Sequence, residues 1–445
     1  RYYICPAIQQ GANARSISQS GEGLMRRRNM KNIREKERNT EIIHDADVVV
    51  IGGGPAGVGA AIRAARNGAR VILIELSGSL GGFNTNGYMY SIIMADRLAA
   101  EILTRMKENE DFVDVLQRYP NIAEDPLTHY YYSHDDWVPD KLISFNPDIC
   151  SCVMNELVEE AGIKVYLRSQ FVDVVLEDSH IRAIVIENIA GRYAITGKVF
   201  VDASGRGTVM ARSNVPKLAS RQMLMPMGLM WRIAGVDYSQ VREYQKKDPE
   251  LKMLVDEAIQ KGDLKQYIQK LTDAEMTTQD VIYTGHPRPE FTPTHIADEL
   301  LMWMPSAYSS NLNGLDSDHV TFAEFDLRKK IIEEFHFLQK YVPGFRHAHI
   351  SGIAPFTGVR EAVHYCGLYT LTHDDIVASK RFEDTVVVLK ANAMKYPKLS
   401  GQWFDISLGC LLPQKIDNLL ASGDNISANH EGFLHIRDFS KAMNL

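Results

Sequence analysis

The 445-residue sequence is poor in cysteine and has no long uncharged apolar stretch. Its five cysteines include one close pair, Cys150 and Cys152, and a Cys-x-Cys pair without a second pair lacks the spacing of a zinc site. We therefore expect reduced thiols, a cytoplasmic protein and no bound metal. The charge-free apolar run that ends at Arg63 is well short of the ~20 residues that a membrane-spanning helix needs.

Positive charge is not in excess either. The formal net charge of −7 gives no reason to expect nucleic acid as the main partner. The exception is the segment from residue 24 to 38, LMRRRNMKNIREKER, with seven basic and two acidic residues. We expect residues 1–44 to form a basic arm, either solvated or in contact with a second subunit of a homo-oligomer. Binding of nucleic acid or of an anionic membrane is the other interpretation of this charge.

The pattern of apolar residues predicts an α/β chain. Residues 45–80 alternate strand, tight turn, helix and strand, which is the unit that builds a parallel sheet. Residues 146–204 predict a helix and then strands that form an antiparallel meander feeding back into that sheet. After residue 215 the sequence is first rich in methionine, then contains a loop interrupted by prolines, and then predicts a helix. This change of character suggests an inserted domain. The predicted parts are a basic arm (1–44), a three-layer Rossmann-type domain in two pieces (45–215 and 346–445) and an inserted α+β substrate domain (216–345).

A glycine-rich turn joins the first strand to the first helix in DVVVIGGGPAGVGAAIRAARNGARVILIE. Gly52, Gly54 and Gly57 form Gly-x-Gly-x-x-Gly, and Pro55 and Ala56 lie between them. In such a turn the first glycine bends the chain, the second lets the backbone approach a pyrophosphate, and the third lets helix and strand pack closely. The helix N-terminus then presents free N–H groups and about half a positive charge to the pyrophosphate. A dinucleotide is the expected ligand.

Glu75 ends the next strand, eighteen residues after Gly57. A carboxylate at this distance can accept hydrogen bonds from the ribose hydroxyls of adenosine. It would repel a 2′-phosphate, which disfavours NADP. FAD and NAD share the same ADP half, so these motifs alone leave both open.

Short pieces across the rest of the chain resemble one family. In order they are SLGGFNTNG, NPDICSCVMNELVEEAGIKVYL, FVDASGRGTVMARSNVP, GVREAVHYCGLYTLTHDDI, LLPQKIDNLLASGDNISANHE and HIRD. Together they are similar to the FAD-dependent oxidoreductases, flavoproteins of the fumarate-reductase type within the broad class that includes glutathione reductase. The resemblance covers roughly residues 45–445 and implies that the dinucleotide is FAD.

The resemblance also implies which further residues hold FAD. The late Gly423-Asp424 pair would bond the ribityl chain, and Gly81-Gly82 would approach phosphate and ring. The remaining cofactor residues are Asn84, Thr85 and Asn86, beside the ring, and Ala203, Ser204 and Gly205, in a turn against the first glycine loop. A polar turn with satisfied side chains is the other interpretation of residues 84–86. Some relatives carry a histidine after the double glycine that attaches FAD covalently; this chain has Phe83 and Asn84, which implies noncovalent FAD.

The C-terminus departs from the family pattern. Members usually continue past the HIRD-like segment into a Gly-Gln-Ala-Ala-Gly helix start that contacts the flavin pyrimidine. This sequence stops at Leu445. The resemblance therefore implies either a sequence that is cut short at this point or an incomplete flavin contact.

Three residues are candidates for the chemistry. His430, in ANHEG, could act as a general acid or base, because an unperturbed histidine titrates near neutral pH. Arg437 could offset negative charge on the reduced flavin. Arg360, in GVRE, could anchor an anionic substrate or a flavin carbonyl. The alternatives are a surface-loop histidine and a buried ion pair between Arg360 and Glu361.

The leading hypothesis is an FAD-dependent oxidoreductase that moves a hydride between a small organic substrate and flavin N5. The substrate would approach where the inserted domain meets the FAD domain. A flavin-dependent monooxygenase or halogenase is the second hypothesis, although the Asp-Gly pair of many aromatic hydroxylases is absent in recognisable form. A non-catalytic flavin-fold protein that binds a partner, with the basic arm in the contact, is the third.

Overall fold

The computed structural model describes residues 33, 35–89, 91–92, 97–108, 112–114, 143–219, 225, 227–264, 267–268, 284–285, 291–302, 312–392, 396–399 and 401–445. Residues 41–445 form one unit, and the elements below belong to it. Before residue 41, Glu35 and Arg38 form an ion pair. Residues 24–32 of the basic segment lie outside the described residues, so a subunit contact through the arm stays a prediction.

The secondary structure follows the predicted alternation of strands and helices. The strands are β1 (Glu41–Ile51), β2 (Val71–Ile74), β3 (Ser91–Ile92), β4 (Phe112–Asp114), β5 (Ile143–Phe145), β6 (Lys164–Tyr166), β7 (Gln170–Glu177), β8 (His180–Asn188), β9 (Gly191–Asp202), β10 (Trp231–Ala234), β11 (Tyr267–Ile268), β12 (Thr284–Gly285), β13 (Phe291–Pro293), β14 (Glu299–Met302), β15 (His349–Ile353), β16 (Thr385–Lys390), β17 (Trp403–Ser407) and β18 (Leu419–Ala421). The α-helices are α1 (Pro55–Arg66), α2 (Arg97–Glu108), α3 (Pro147–Glu160), α4 (Thr208–Arg212), α5 (Tyr238–Gln245), α6 (Lys252–Gln260), α7 (Ser317–Tyr341), α8 (His373–Val377), α9 (His430–Phe433) and α10 (Phe439–Asn444).

The main sheet is mixed. Its strand order is β6-β2-β1-β9-β8-β7, and β18 pairs with the last part of β9. The strands β6, β2, β1, β9 and β18 are parallel, as a connection through a helix such as α1 requires. The strands β7, β8 and β9 pair antiparallel in sequence order, which confirms the predicted meander.

Different parts of the chain cover the two faces of this sheet. Val50 and Leu73 pack in one apolar cluster with residues of α1, α2 and α3. Val49 and Ile51 pack in a second cluster with residues between 365 and 436. Neighbouring residues of a strand point to opposite faces, so the run of valines after residue 47 serves both layers. The predicted three-layer α/β architecture is confirmed.

A second sheet is antiparallel, with the order β13-β14-β10-β15. Trp231 of β10 is fully buried and meets Phe335 of α7 edge to face at 6.5 Å between ring centres. Most of these elements come from residues 216–345, and β15 follows that range. A separate substrate domain with these bounds stays a prediction. Among the helices that the structure describes, none is long and apolar enough to cross a lipid bilayer.

The carboxyl ends of the central parallel strands meet in register. Ile51 of β1 and Ala421 of β18 both pair with Asp202, the last residue of β9. Ligands of open α/β sheets bind beyond such strand ends. The glycine-rich turn, the Ala203 turn and the Gly423 turn all begin there, so the fold brings them to one place.

Candidate cofactor and active site

Two glycines of the first turn are required by the protein itself. Gly52 has a φ of 109°, and a Cβ at this position would lie 2.3 Å from the Ala203 carbonyl oxygen. A Cβ at Gly57 would lie 1.7 Å from the Gly52 carbonyl oxygen. Any side chain at either residue would therefore collide with backbone atoms, and the turn would have to shift. These two glycines fix the turn between β1 and α1 against the Ala203 turn.

Gly54 differs from both, because nothing among the described residues requires it to be glycine. Its φ of −69° and ψ of −177° are open to any residue, and a Cβ would meet no atom within 4 Å in the described part of the chain beyond its own neighbours. It is the N-cap of α1, no side chain caps the helix there, and the first turn holds no acidic residue. The space beside Gly54 thus faces an uncapped helix N-terminus, which attracts anions such as a diphosphate.

Glu75 supports the turn from the end of β2. Its Oε2 accepts a hydrogen bond from the Gly53 N–H at 2.6 Å, and its Oε1 accepts one from the Ser77 N–H at 2.6 Å. A carboxylate offers about four acceptor positions, so roughly two remain for ribose hydroxyls. Glu75 is therefore held beside the glycine loop and can still bind a sugar.

Replacing Glu75 with alanine is expected to weaken FAD binding by about 1–3 kcal/mol, roughly tenfold to hundredfold in Kd, because ribose hydroxyls lose their acceptor. Fluorescence titration of the apoprotein with FAD measures this. Glu177→Ala is the matched control, because that glutamate is 72% exposed at the end of β7. An unchanged Kd for Glu75→Ala would contradict the role of this carboxylate.

The second glycine pair packs against the first loop. Gly81 and Gly82 have φ values of 99° and 54°. The Gly81 N–H donates to the Gly53 carbonyl at 2.8 Å, and a Cβ on Gly82 would lie 3.1 Å from Gly54 Cα. The chain after β2 thus returns to the open space beside Gly54.

The polar side chains that follow bond within their own segment. Asn84 Nδ2 donates to the Met89 carbonyl at 2.9 Å, and Thr85 Oγ1 donates to the Leu80 carbonyl at 2.7 Å. Asn86 Oδ1 accepts from the Ser79 hydroxyl at 2.6 Å. These bonds hold the turn in shape. Contact of residues 84–86 with the flavin ring stays a prediction.

Asp202, which the sequence did not single out, anchors the Ala203-Ser204-Gly205 turn. Its carboxylate is fully buried and accepts from the Ser204 hydroxyl at 2.6 Å, the Val209 N–H at 2.8 Å and Asn425 Nδ2 at 3.1 Å. Burial raises the pKa of Asp202. One side chain thereby joins the end of β9, the start of α4 and the turn after Gly423. The sequence feature that could have identified Asp202 is an acidic residue at the end of a strand, followed directly by small residues.

The Gly423-Asp424 turn lies on the first helical turn of α1. Gly423 has a φ of 63°, and a Cβ on it would lie 2.5 Å from Ala56 Cβ. Asp424 is partly buried, and its Oδ1 is shielded from solvent and has no hydrogen-bond partner among the residues that the structure describes. Burial raises the pKa of Asp424 to about 7, and the nearby charge of Arg437 opposes that rise.

The residues present fit FAD. A buried acceptor without a donor is costly, and a ribityl or ribose hydroxyl is the kind of donor that Asp424 Oδ1 lacks. The open space beside Gly54 suits the diphosphate. The five predicted cofactor segments converge around these two features, at the carboxyl ends of β1, β9 and β18.

A second polar cluster centres on Glu361, whose carboxylate is buried. It accepts from the Met225 N–H at 2.8 Å, from His364 Nε2 at 2.8 Å, and from His430 Nδ1 at 2.8 and 2.9 Å. Burial alone would raise the pKa of Glu361, but the hydrogen bonds from the two histidines outweigh it and lower the pKa to about 2. Glu361 pairs with these histidines rather than with Arg360, so the Arg360–Glu361 ion pair is not found.

The hydrogen bonds to Glu361 determine which ring nitrogen of each histidine carries the hydrogen. An ionised carboxylate only accepts hydrogen bonds, so His430 Nδ1 and His364 Nε2 carry the hydrogens that face Glu361. With its hydrogen on Nδ1, an uncharged imidazole has its lone pair on Nε2. Its side chain is 21% exposed, whereas that of His364 is 6% exposed. His430 is the member of the pair that can reach a ligand.

Contacts connect this cluster to the cofactor segments. Arg437 Nη1 donates to Met225 Sδ, and the charges of Arg437 and Glu361 both act on the pKa of Asp424. The loop that carries Glu361 is held close by Gly358, where a Cβ would lie 2.3 Å from the Phe83 ring. The structure thus brings His430 and Arg437 together near Asp424. Arg360, half-buried, precedes Glu361 on the same loop.

His435 has a structural role. It is fully buried, its Nδ1 accepts from the Asn392 N–H at 3.0 Å, and its ring stacks on Tyr396 at 4.6 Å. Burial lowers the pKa of His435 to about 3. It is therefore a neutral residue of the core.

Curated relatives match parts of the chain. Thiamine thiazole synthase from Pyrococcus abyssi is 26% identical over 200 residues, which is 43% of this chain and 66% of that protein. The one from Methanococcus maripaludis is 29% identical over 185 residues, 39% of this chain and 62% of that protein. The chain thus spans slightly less than two thirds of the length of these relatives.

Solved structures resemble most of the chain at low identity. The geranylgeranyl bacteriochlorophyll reductase-like protein from Thermoplasma acidophilum aligns with a TM-score of 0.45 and 12% identity, over 90% of this chain and 75% of its own. L-amino acid deaminase from Proteus vulgaris aligns with a TM-score of 0.44 and 13% identity, over 92% of this chain and 94% of its own.

The sequence model described as FAD dependent oxidoreductase matches residues 47–444, which is nearly the whole unit described above. The match includes the glycine loop at its start and the α10 helix at its end. This chain belongs to the FAD-dependent oxidoreductase family and is an enzyme whose cofactor is FAD.

Proposed function

We propose that the enzyme transfers a hydride between a small organic substrate and flavin N5, and that His430 takes up or gives back the accompanying proton. FAD, when bound, supplies the two-electron redox chemistry. The chain would supply the binding site, the orientation of the substrate and the proton transfer. The inserted segment 216–345 would form the other wall of the substrate site.

The contact between His430 and Glu361 carries the proposal. With Nδ1 bonded to both carboxylate oxygens, at 2.8 and 2.9 Å, the imidazole is held in one tautomer and one orientation. Because Glu361 is ionised, it stabilises the imidazolium that forms when Nε2 accepts a proton. A positioned base of this kind typically contributes about a hundredfold to ten-thousandfold to a rate.

Two arginines would assist through charge. Arg437 lies within electrostatic reach of Asp424 and would offset negative charge that develops at the cofactor. Arg360 precedes Glu361 and would help to anchor the substrate. Thiazole synthesis is not proposed, because the match to those relatives covers 43% of this chain at most.

Anaerobic mixing of the oxidised holoenzyme with a panel of amines, amino acids and hydroxy acids tests the proposal. We expect at least one compound to bleach the visible flavin absorption without oxygen, with the product two electrons more oxidised. Buffer without substrate is the control. If the flavin is reduced only by a nicotinamide, and the substrate changes only when oxygen is added and incorporated, the enzyme is a monooxygenase and the proposal is wrong.

A further inference from the structure

Arg206 follows the Ala203-Ser204-Gly205 turn and has few partners. Its Nη1 donates to the Gly314 carbonyl at 3.3 Å, and this is the single hydrogen bond that Arg206 makes with the described residues. A guanidinium has five donors in a planar fork, so most of them are unused. The group is also substantially withdrawn from water, and this burial lowers the pKa of Arg206.

The nearest opposite charge is already engaged. Glu324 of α7 acts on Arg206 electrostatically, but its Oε1 accepts from the Thr357 N–H at 2.6 Å and its Oε2 accepts from Arg328. No carboxylate among the described residues lies within ion-pair distance of Arg206. A withdrawn cation without a counter-ion is unfavourable, and a bound anion would relieve that cost.

A second unsatisfied group lies on the neighbouring loop. The hydroxyl of Thr357 is buried, the residue is 1% exposed, and Oγ1 has no hydrogen-bond partner in the described part of the chain. Thr357 and Arg206 are connected through Glu324, which bonds the Thr357 N–H. They are also connected through Gly314. Its carbonyl accepts from Arg206, and a Cβ on it would lie 2.5 Å from Cγ1 of Val359, two residues after Thr357. Both groups therefore border the loop that ends in Glu361.

Other arginines around the site are more fully used. Arg328 bonds Glu324 and the carbonyls of Ala354 and Pro355. Arg437 is within reach of Asp424 and Asp438 and donates to Met225. Arg206 keeps the largest unused donor capacity among these three.

We infer that Arg206 and Thr357 bind an oxyanion, a carboxylate or a phosphate, carried by the substrate. The inference rests on the proposed function in placing the substrate beside Glu361. The Arg206 fork matches the two oxygens of such a group, and the Thr357 hydroxyl adds a third donor. The diphosphate of FAD has its own place, beside Gly54 at the N-terminus of α1. The enzyme would therefore select small organic acids or phosphate esters over neutral compounds.

The test is calorimetric titration of the holoenzyme with succinate and, separately, inorganic phosphate. We expect saturable binding of at least one of them to the native protein. Arg206→Gln should weaken that binding about tenfold to hundredfold, because charge and fork are both lost. Arg212→Gln removes the same charge from the exposed end of α4 and should bind as the native protein does. Arg206→Lys keeps the charge without the fork, so its affinity for the anion should lie between those of the native protein and Arg206→Gln. It replaces the glutamine variant in the test if that variant does not fold.

Flavin content is measured for every variant. Loss of FAD from Arg206→Gln but not from Arg212→Gln would mean that Arg206 binds the cofactor diphosphate, which overturns the inference. Equal affinity of Arg206→Gln and the native protein, or no binding of either anion to the native protein, would also overturn it. The titration requires no turnover, so its failure is distinct from a failure of hydride transfer.

Discussion

Replacing Gly54 with valine is expected to abolish FAD retention while the apoprotein keeps its fold. Apart from its own neighbours in the chain, no atom of the described residues lies within 4 Å of a Cβ at this residue, and its backbone angles suit any side chain. The valine methyls would therefore occupy only the space that we assign to the diphosphate. Overfilling a close-packed site costs about 1–3 kcal/mol or more, so the Kd for FAD should rise about tenfold to hundredfold at least.

Gly57→Ala is the matched comparison. A Cβ there would lie 1.7 Å from the Gly52 carbonyl oxygen, so this smaller change should lower the melting temperature of the apoprotein, whereas Gly54→Val should not. Flavin absorbance after desalting and thermal melting of the flavin-free chain report the two effects separately. A Gly54→Val protein that retains its full flavin content would show that the space beside Gly54 holds something other than the diphosphate.

His430→Gln is expected to slow flavin reduction by substrate about a hundredfold to ten-thousandfold without loss of FAD. The variant removes the group that we propose as the proton acceptor and leaves the cofactor segments intact. Glu361→Gln should produce a comparable loss, because an amide leaves His430 without the charge that orients it and stabilises its protonated form. Rates come from anaerobic stopped-flow mixing with the best substrate of the panel.

His347→Gln is the control for the histidine variant, because His347 is exposed and lies outside the Glu361 cluster. Its rate should equal that of the native protein. If His430→Gln also reduces its flavin at the native rate, proton transfer belongs to another group, and the mechanistic assignment fails while the cofactor assignment stands.

Much of the fold could be predicted because its signals are local. The strand, glycine turn and helix from residue 47 to 66 follow from a run of β-branched residues and three spaced glycines, and the meander follows from turn residues between short strands. Glu75 was recognisable because the distance between the glycine loop and the ribose acid is set by one helix and one strand.

The polar partners could not be predicted, because they come from distant segments. His430 meets Glu361 across 69 positions, and Asn425 meets Asp202 across 223. Only the packing of the loops that end β9 and β18 brings such groups together. For the same reason the sequence favoured neither interpretation of residues 84–86, whose side chains could equally face a ligand or bond their own turn. The apolar pattern positions elements, while side-chain pairing depends on the assembled core.

The central claim is that the glycine loop, Glu75, the Gly81-Gly82 pair, the Ala203 turn and Asp424 form a binding site for noncovalent FAD. Its most direct test is to denature the purified protein, separate the released small molecules by chromatography and compare them with FAD, FMN and NAD standards. We predict FAD in an amount equimolar with the chain, released without proteolysis. Release of a different nucleotide, or a chain that neither contains FAD nor takes it up when supplied, would contradict the account.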